Sequence, residues 1–535
     1  MTEISLPNGG WLRVLVLVTG MAVLGAELAA SRLLAPFFGS SLLVWANVVG
    51  LILLYLSAGY WLGGRLADRF PDIEALYHVA AVAAIGLGLI PSLAYPLLST
   101  VSAGLFRVPL GVLGGSFVAV LALFSVPLTL FGCVSPWAVR LSVEDVRRAG
   151  RTAGSLYALS TIGSLIGAYL TALVLIPTVG TRRTFLGFSV VVLLTALIGL
   201  VLERRCGPSM PDAAPRNRVR RLVPWLYGIA LVALVALTLA PTSSIRPPQF
   251  GELLYERESA YNYIQVVRTG TRVDLLLDVN EGEVIHSTYD PTRRLSGGEW
   301  DYFLVASFFG SDVQLTSADR ILLLGSAAGT TAREFTEVYG PLPIDGVELD
   351  PTILDLGREY FAMTLPNVRV FTADARVFLR GAPASYRVIG VDAFRQLYAP
   401  FHLTTKEFFA EARDHLATGG VVAVNVFRPG GDDRLVRALA RTMAEVFPTV
   451  FIVDVPGSFN ALVVGTDEPT TLARAQANLT RLSPPSLQEV AQQSLANSQV
   501  YRPAGGDVLL TDDQAPVEQL TDAALLAALG GASAH

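Results

Sequence analysis

Residues 321–350 read ILLLGSAAGTTAREFTEVYGPLPIDGVELD. Ile321–Leu324 is an uninterrupted apolar run, the pattern of a strand buried on both faces. Gly325 to Gly329 is a loop of small residues, Thr331–Tyr339 is helical in composition, and Ile344–Leu349 is a second strand with Glu348 near its end. Strand, glycine loop, helix and acid-ended strand, in that order, make the nucleoside-binding half of a doubly wound α/β sheet.

Downstream, Val368–Thr372, Val388–Val391 and Val421–Val426 supply further strands. In such a sheet ligands bind at the carboxyl ends of the strands. Gly325 and Gly329 let the backbone approach a ligand there, and Glu348 is placed to accept both hydroxyls of a ribose. Asp374, in Ala373-Asp374-Ala375, is the candidate acceptor for an adenine amino group. Asp392, in Val391-Asp392-Ala393-Phe394, ends the next strand and is expected over the reaction centre. The competing reading makes each of these a turn residue after a strand. His286 and His402 are lone histidines, for which structural roles are the default.

Upstream, Tyr263–Arg268 and Val273–Leu277, joined by a turn at Gly270, read as a small β-subdomain behind the Pro/Ser-rich linker Pro241–Pro248. Before it the character changes. Hydrophobic residues are 52% of the chain and charged residues only 16%, and the charge-poor stretches gather in the first half. A helix needs about 20 apolar residues to cross a bilayer. Candidates are Trp11–Ala30, Leu43–Leu62, Ala75–Leu97, Pro109–Cys133, Ala153–Ile176, Phe185–Leu202 and Leu222–Ala240. Gly163 and Gly167, at helical spacing, would let two helices approach closely. Arginines gather in alternate loops, at Arg65 and Arg69, at Arg140 to Arg151, and at Arg204 to Arg221. The positive-inside rule places those loops and the N-terminus in the cytoplasm, and seven crossings then put the C-terminal half outside. A domain that uses an intracellular nucleoside belongs inside, so the side is open. The net charge of -5, with no basic stripe, argues against nucleic acid. Cys133 and Cys206 match no disulfide or zinc spacing, and no metal site is expected.

From Tyr255 to about Glu518 the chain resembles spermidine synthase, the aminopropyltransferase relative of the adenosylmethionine methyltransferases. The resemblance rests on Ser259-Ala260-Tyr261-Asn262-Tyr263-Ile264, Leu322–Glu334, Val347-Glu348-Leu349-Asp350, Asp374-Ala375, Leu403–Phe409 and the ending Leu510-Thr511-Asp512-Asp513-Gln514-Ala515-Pro516-Val517-Glu518. With Glu27–Phe38 and Leu62–Arg69 included, the whole chain is similar to bacterial proteins that fuse a membrane domain to a spermidine synthase-like domain. The resemblance implies a Rossmann-like domain with a small N-terminal β-subdomain and a homodimer. It implies decarboxylated S-adenosylmethionine or S-adenosylmethionine as co-substrate, with no tightly bound cofactor. Asn262, Gly325, Gly329, Glu348, Asp374 and Ala375 fall on nucleoside-binding positions, and Asp392 is the candidate base. The family's amine-binding positions are altered: an acid in the glycine loop is Ala328, a Tyr-His pair is Tyr302-Phe303, and the second acid of Asp-x-x-Asp is Arg395. Tyr302 remains a substrate candidate. Asp512, Asp513 and Glu518 supply the missing acids if the C-terminus folds over the site; otherwise they are the acidic start of a helix.

The expectation is therefore a multi-pass helical bundle over residues 1–242, a linker and β-subdomain over 243–310, a Rossmann-like catalytic domain over 311–520 and a tail over 521–535. It is placed in the bacterial inner membrane, with the lipid bilayer, a nucleoside and an amine as partners. The leading activity is aminopropyl transfer with a degraded putrescine site. The alternatives are methyl transfer from S-adenosylmethionine to another acceptor, and a transporter or sensor that binds a nucleoside or polyamine without turnover.

Overall fold

The charge-poor half forms helices, the conformation in which an apolar segment satisfies its own backbone hydrogen bonds. The computed structural model describes residues 9–38, 42–105, 111–143, 145–206, 216–240, 248–278, 285–310, 315–382, 385–393, 398–482 and 485–532. Two compact units are present, Met1–Ile245 with Glu258–Ala260, and Arg246–Arg257 with Tyr261–His535.

The first unit contains α1 (Gly9–Phe38), α2 (Leu42–Arg69), α3 (Ile73–Leu105), α4 (Gly111–Ser142), α5 (Ala149–Leu170), α6 (Ile176–Cys206) and α7 (Arg216–Leu239). Five runs among the described residues are long and apolar enough to cross a bilayer, and the fifth, Val146–Arg205, is 60 residues long. As one straight rod it would measure about 90 Å, three times the hydrocarbon core. It is not one rod. The π-helical turn Thr171–Leu175 joins α5 to α6, and Gly180 breaks α6 with φ 82° and ψ 168°, open to glycine alone. Val223–Leu239 is apolar but shorter. The expected small-residue contact is present. A Cβ on Gly163 would sit 2.1 Å from the Leu17 carbonyl oxygen, and one on Gly167 would sit 2.2 Å from that of Met21, so α1 and α5 touch backbone to backbone.

The second unit begins with a four-stranded antiparallel sheet, β1 (Glu252–Glu258), β2 (Tyr263–Thr269), β3 (Arg272–Leu277) and β4 (Ile285–Tyr289). The short helix α8 (Trp300–Phe303) leads into β5 (Ile321–Leu324), α9 (Thr330–Tyr339), β6 (Ile344–Glu348), α10 (Pro351–Tyr360), β7 (Val368–Thr372), α11 (Ala375–Arg380) and β8 (Tyr386–Val391). Then follow α12 (Lys406–Asp414), β9 (Leu416–Phe427), α13 (Arg434–Met443), β10 (Thr449–Asp454), β11 (Asn460–Thr466), α14 (Leu472–Leu479), α15 (Gln488–Ala496), β12 (Ser498–Val500) and α16 (Val517–Ala532).

The large sheet runs β12-β10-β11-β9-β8-β5-β6-β7. β5 lies parallel between β8 and β6, with Ile321 opposite both Val388 and Ile344. The chain travels outward from β5 through β6 to β7, then returns to β8 on the other side of β5. That reversal opens a crevice at the strand ends, the expected ligand position in a doubly wound sheet. The β10–β11 hairpin extends the sheet antiparallel to β9. The segment expected as a tail over 521–535 differs: it lies mostly within α16, where Val517, Thr521 and Ala524 are buried and Tyr398 donates to Asp522 at 2.5 Å.

Candidate active site

At the end of β5 the chain must turn sharply into α9. Gly325 does so with φ 87°, and a Cβ there would lie 2.3 Å from the Asp392 carbonyl oxygen, so any larger residue would push β5 and β8 apart. Gly329, at φ 95°, starts α9 and packs on Met363. Its place is the helix start, and it does not line the cavity described next.

That cavity, of about 300 Å³, opens over the carboxyl ends of β5, β6 and β8. Asn262, Gly325, Glu348, Asp374, Ala375 and Asp392 all line it, together with His286, Glu299, Trp300, His402, Asn425 and Asn460. Six of the seven expected nucleoside and base residues thus meet in one place.

Glu348 is oriented by two backbone amides: Ala327 N–H donates to one carboxylate oxygen at 3.1 Å and Asp350 N–H to the other at 3.0 Å. Burial pushes its carboxyl up to about 7; the Asp350 charge adds to the rise and the amides oppose it. Asp350 caps α10 through Thr352 N–H at 3.0 Å, with Pro351 at a position that needs no N–H. It also accepts from the Asn262 amide at 3.1 Å, which ties the start of β2 to the nucleoside side of the cavity.

Asp374 caps α11, accepting from Arg376 N–H and Val377 N–H at 3.0 Å each. Its second oxygen lies 3.0 Å from His402 Nε2. A ligand amino group meeting Asp374 therefore meets an Asp–His pair. His402 is in turn held through its carbonyl by Arg376 at 3.1 Å.

Asp392 accepts from the Asn425 amide at 2.9 Å and from the Trp300 indole. Burial lifts its carboxyl to about 6. Glu299 is a second cavity acid that sequence reasoning missed. Burial, seconded by the charge of Asp392, lifts it to about 7, and a hydrogen bond from Asn460 partly offsets this. His286 is driven down to about 4 by burial, hence neutral at pH 7, and its Nε2 has no partner among the described residues.

The remaining candidates are elsewhere. The Tyr302 hydroxyl donates to Gln493 at 3.0 Å inside the core. Asp512 is held by Arg376 at 2.7 and 2.8 Å and by Thr405 at 2.7 Å, a clamp on the C-terminal segment. Asp513 is exposed and Glu518 lies in the first turn of α16. None of the four lines the cavity, because the segment after Leu510 packs beside α11 and α12 and not over the strand ends. Ala328 and Phe303 are packed in apolar cores. Arg395 lies outside the described residues.

Comparison with known proteins gives related results. The spermine/spermidine synthase domain family matches residues 311–466. A probable polyamine aminopropyl transferase of Bifidobacterium longum is 31% identical over 352 residues, covering 60% of this chain and 75% of that protein. A polyamine aminopropyltransferase of Mycobacterium tuberculosis is 28% identical over 422 residues, covering 71% and 75%. Among solved structures, a probable spermidine synthase from Corynebacterium glutamicum covers 50% of this chain and 97% of its own, at 23% identity and a TM-score of 0.39.

Proposed function

From the premise that this chain belongs to the polyamine aminopropyltransferase family, and is a transferase of that class, we propose that it is membrane-anchored and moves the aminopropyl group of decarboxylated S-adenosylmethionine onto an amine. The observation that carries the choice of donor is the charge of the cavity. Glu299, Glu348, Asp374 and Asp392 line it, and no arginine or lysine does among the described residues. A decarboxylated donor brings a sulfonium and an ammonium, both complementary to acids. S-adenosylmethionine brings a carboxylate, which would be desolvated against like charge.

In this reading Glu348, held by its two amides, takes the ribose hydroxyls, and Asp374 with His402 faces the base. Asp392 first takes the proton of the bound acceptor ammonium, which frees the nitrogen lone pair for the attack. The acceptor nitrogen attacks the propyl carbon bonded to sulfur. The N–C bond forms, the C–S bond breaks with its electron pair going to sulfur, and methylthioadenosine leaves. Positioning and proton removal supply the rate.

Anchoring is supported by the outer surface of the first unit. On α2, Leu53, Leu54 and Trp61 are 56%, 58% and 61% exposed, a display that lipid favours and water does not. For the side, a cytoplasmic catalytic unit fits the donor. With the N-terminus also cytoplasmic, an even number of crossings is needed. Val223–Leu239 is then the helix that does not cross, spanning about 26 Å against a hydrocarbon core of about 30 Å.

The test is calorimetry on the full chain in detergent with decarboxylated S-adenosylmethionine, S-adenosylmethionine and methylthioadenosine. Tight binding of the first and third, with S-adenosylmethionine at least tenfold weaker, is expected. Preference for S-adenosylmethionine would replace aminopropyl transfer with methyl transfer.

A further inference from the structure

An amine acceptor is a cation in water, and taking it into a cavity requires carboxylates to offset the lost hydration. At two of the family's amine-binding positions this chain carries packed apolar side chains, Ala328 and Phe303. The cavity nevertheless holds two carboxylates side by side. Asp392 follows β8, and the Asn425 amide on the neighbouring strand β9 fixes one of its oxygens at 2.9 Å. One strand further on, Asn460 opens β11 opposite Phe427 of β9 and bonds Glu299. Trp300, the residue after Glu299, donates to Asp392. All of these side chains line the same cavity. Each acid is therefore held by a neutral amide, with lone pairs left for a ligand and no arginine or lysine among the described lining residues to neutralise the pair.

Resting on the aminopropyl-transfer reading, we propose that Glu299 is the acceptor-binding residue: its carboxylate takes the distal ammonium of a diamine whose other nitrogen faces Asp392. A diamine binds more tightly than a monoamine, because two like charges in one cavity are fully relieved only when each meets its own cation. Glu299 thereby takes the part of the acids replaced at Ala328 and Phe303. Asn460 is its positioning residue.

The experiment measures equilibrium binding of putrescine and of n-butylamine to the full chain in detergent, saturated with methylthioadenosine. It compares the parent with Glu299→Gln and Glu299→Asp. One lost charge-assisted contact predicts putrescine weakened about 10- to 100-fold in Glu299→Gln, most of it restored in Glu299→Asp, with n-butylamine equal in all three proteins and methylthioadenosine affinity unchanged. A structural role would shift n-butylamine and methylthioadenosine as well, and that result overturns the proposal. So does equal putrescine affinity in parent and Glu299→Gln, or no putrescine binding by a parent that binds methylthioadenosine. A parent that does not bind methylthioadenosine removes the donor reading itself, and the proposal with it. If Glu299→Gln does not fold, Asn460→Ala is the second variant, expected to weaken putrescine alone.

Discussion

Asp392 and Glu299 both hold their protons more tightly in the folded protein, at about 6 and about 7, than free carboxyls do at 3.8 and 4.5. Acids raised in this way add stability that is complete below about pH 4 and is lost as pH rises through 6 to 7. Activity runs the other way, because Asp392 must be ionised to take a proton and Glu299 to hold an ammonium. Asn425 and Trp300 face Asp392; Asn460 and Asp301 face Glu299, with Glu334 beyond Asp301. Activity on a diamine, measured as kcat/KM, should rise between about pH 6 and 7. In Glu299→Gln the part of the rise near pH 7 should be lost and the part near pH 6, which follows Asp392, should remain, because Glu299 is still protonated where Asp392 ionises. A diamine profile unmoved by that substitution would show that the Glu299 charge takes no part in turnover. The three acids legible in the sequence share a signature, a carboxylate at or just past the carboxyl end of a strand: Glu348, Asp374 and Asp392. Glu299 has none. It follows two glycines in a turn, and the Asp392 and Asn460 that face it come from about 90 and 160 residues further along the chain.

At the scale of elements, apolar runs ended by acids or glycine made β5, β6, β7 and β8 readable. The β10–β11 hairpin, which carries Asn460, is not legible in this way, because its antiparallel pairing with β9 joins segments more than 30 residues apart and no local pattern specifies it. The C-terminal acids misled for the opposite reason. Asp512 looks like a free acid, yet Arg376, only 7% exposed, binds it and Glu411 together. That arginine also holds the His402 carbonyl, so one side chain locks α11, α12, the C-terminal segment and the cavity wall. Removing it as Arg376→Ala should cost about 2–3 kcal/mol, less than the 3–5 of a fully buried pair because Asp512 and Glu411 keep some solvent. Chemical denaturation of the full chain would read this; a change within 0.5 kcal/mol would mean the network is ornamental to stability. In the first unit, Gly163→Val should displace α5 from α1, since the added Cβ would meet the Leu17 carbonyl at 2.1 Å. The expected result is loss of the folded protein from detergent extracts, with Gly154→Val, where a Cβ meets nothing within 4 Å, as the tolerated control.

For the whole molecule the open quantity is which side of the membrane holds the cavity. Cys133 and Cys206 are the only cysteines and both lie in the first unit, so the catalytic unit has no thiol of its own, and a Cys206→Ser background leaves only the buried Cys133. A cysteine placed at the exposed Arg502 should resist an impermeant maleimide in intact cells and react after lysis. Rapid labelling of intact cells would make Val223–Leu239 a seventh crossing and put the cavity outside. The central claim, aminopropyl transfer, has its most direct test in one assay. Full-length protein in detergent receives decarboxylated S-adenosylmethionine and putrescine, and methylthioadenosine and spermidine are quantified together. Equimolar formation of both is expected, falling by about 10²- to 10⁴-fold in Asp392→Asn, the range of a lost general base. No methylthioadenosine from the parent, or formation undiminished in Asp392→Asn, would contradict the chemistry assigned to this cavity.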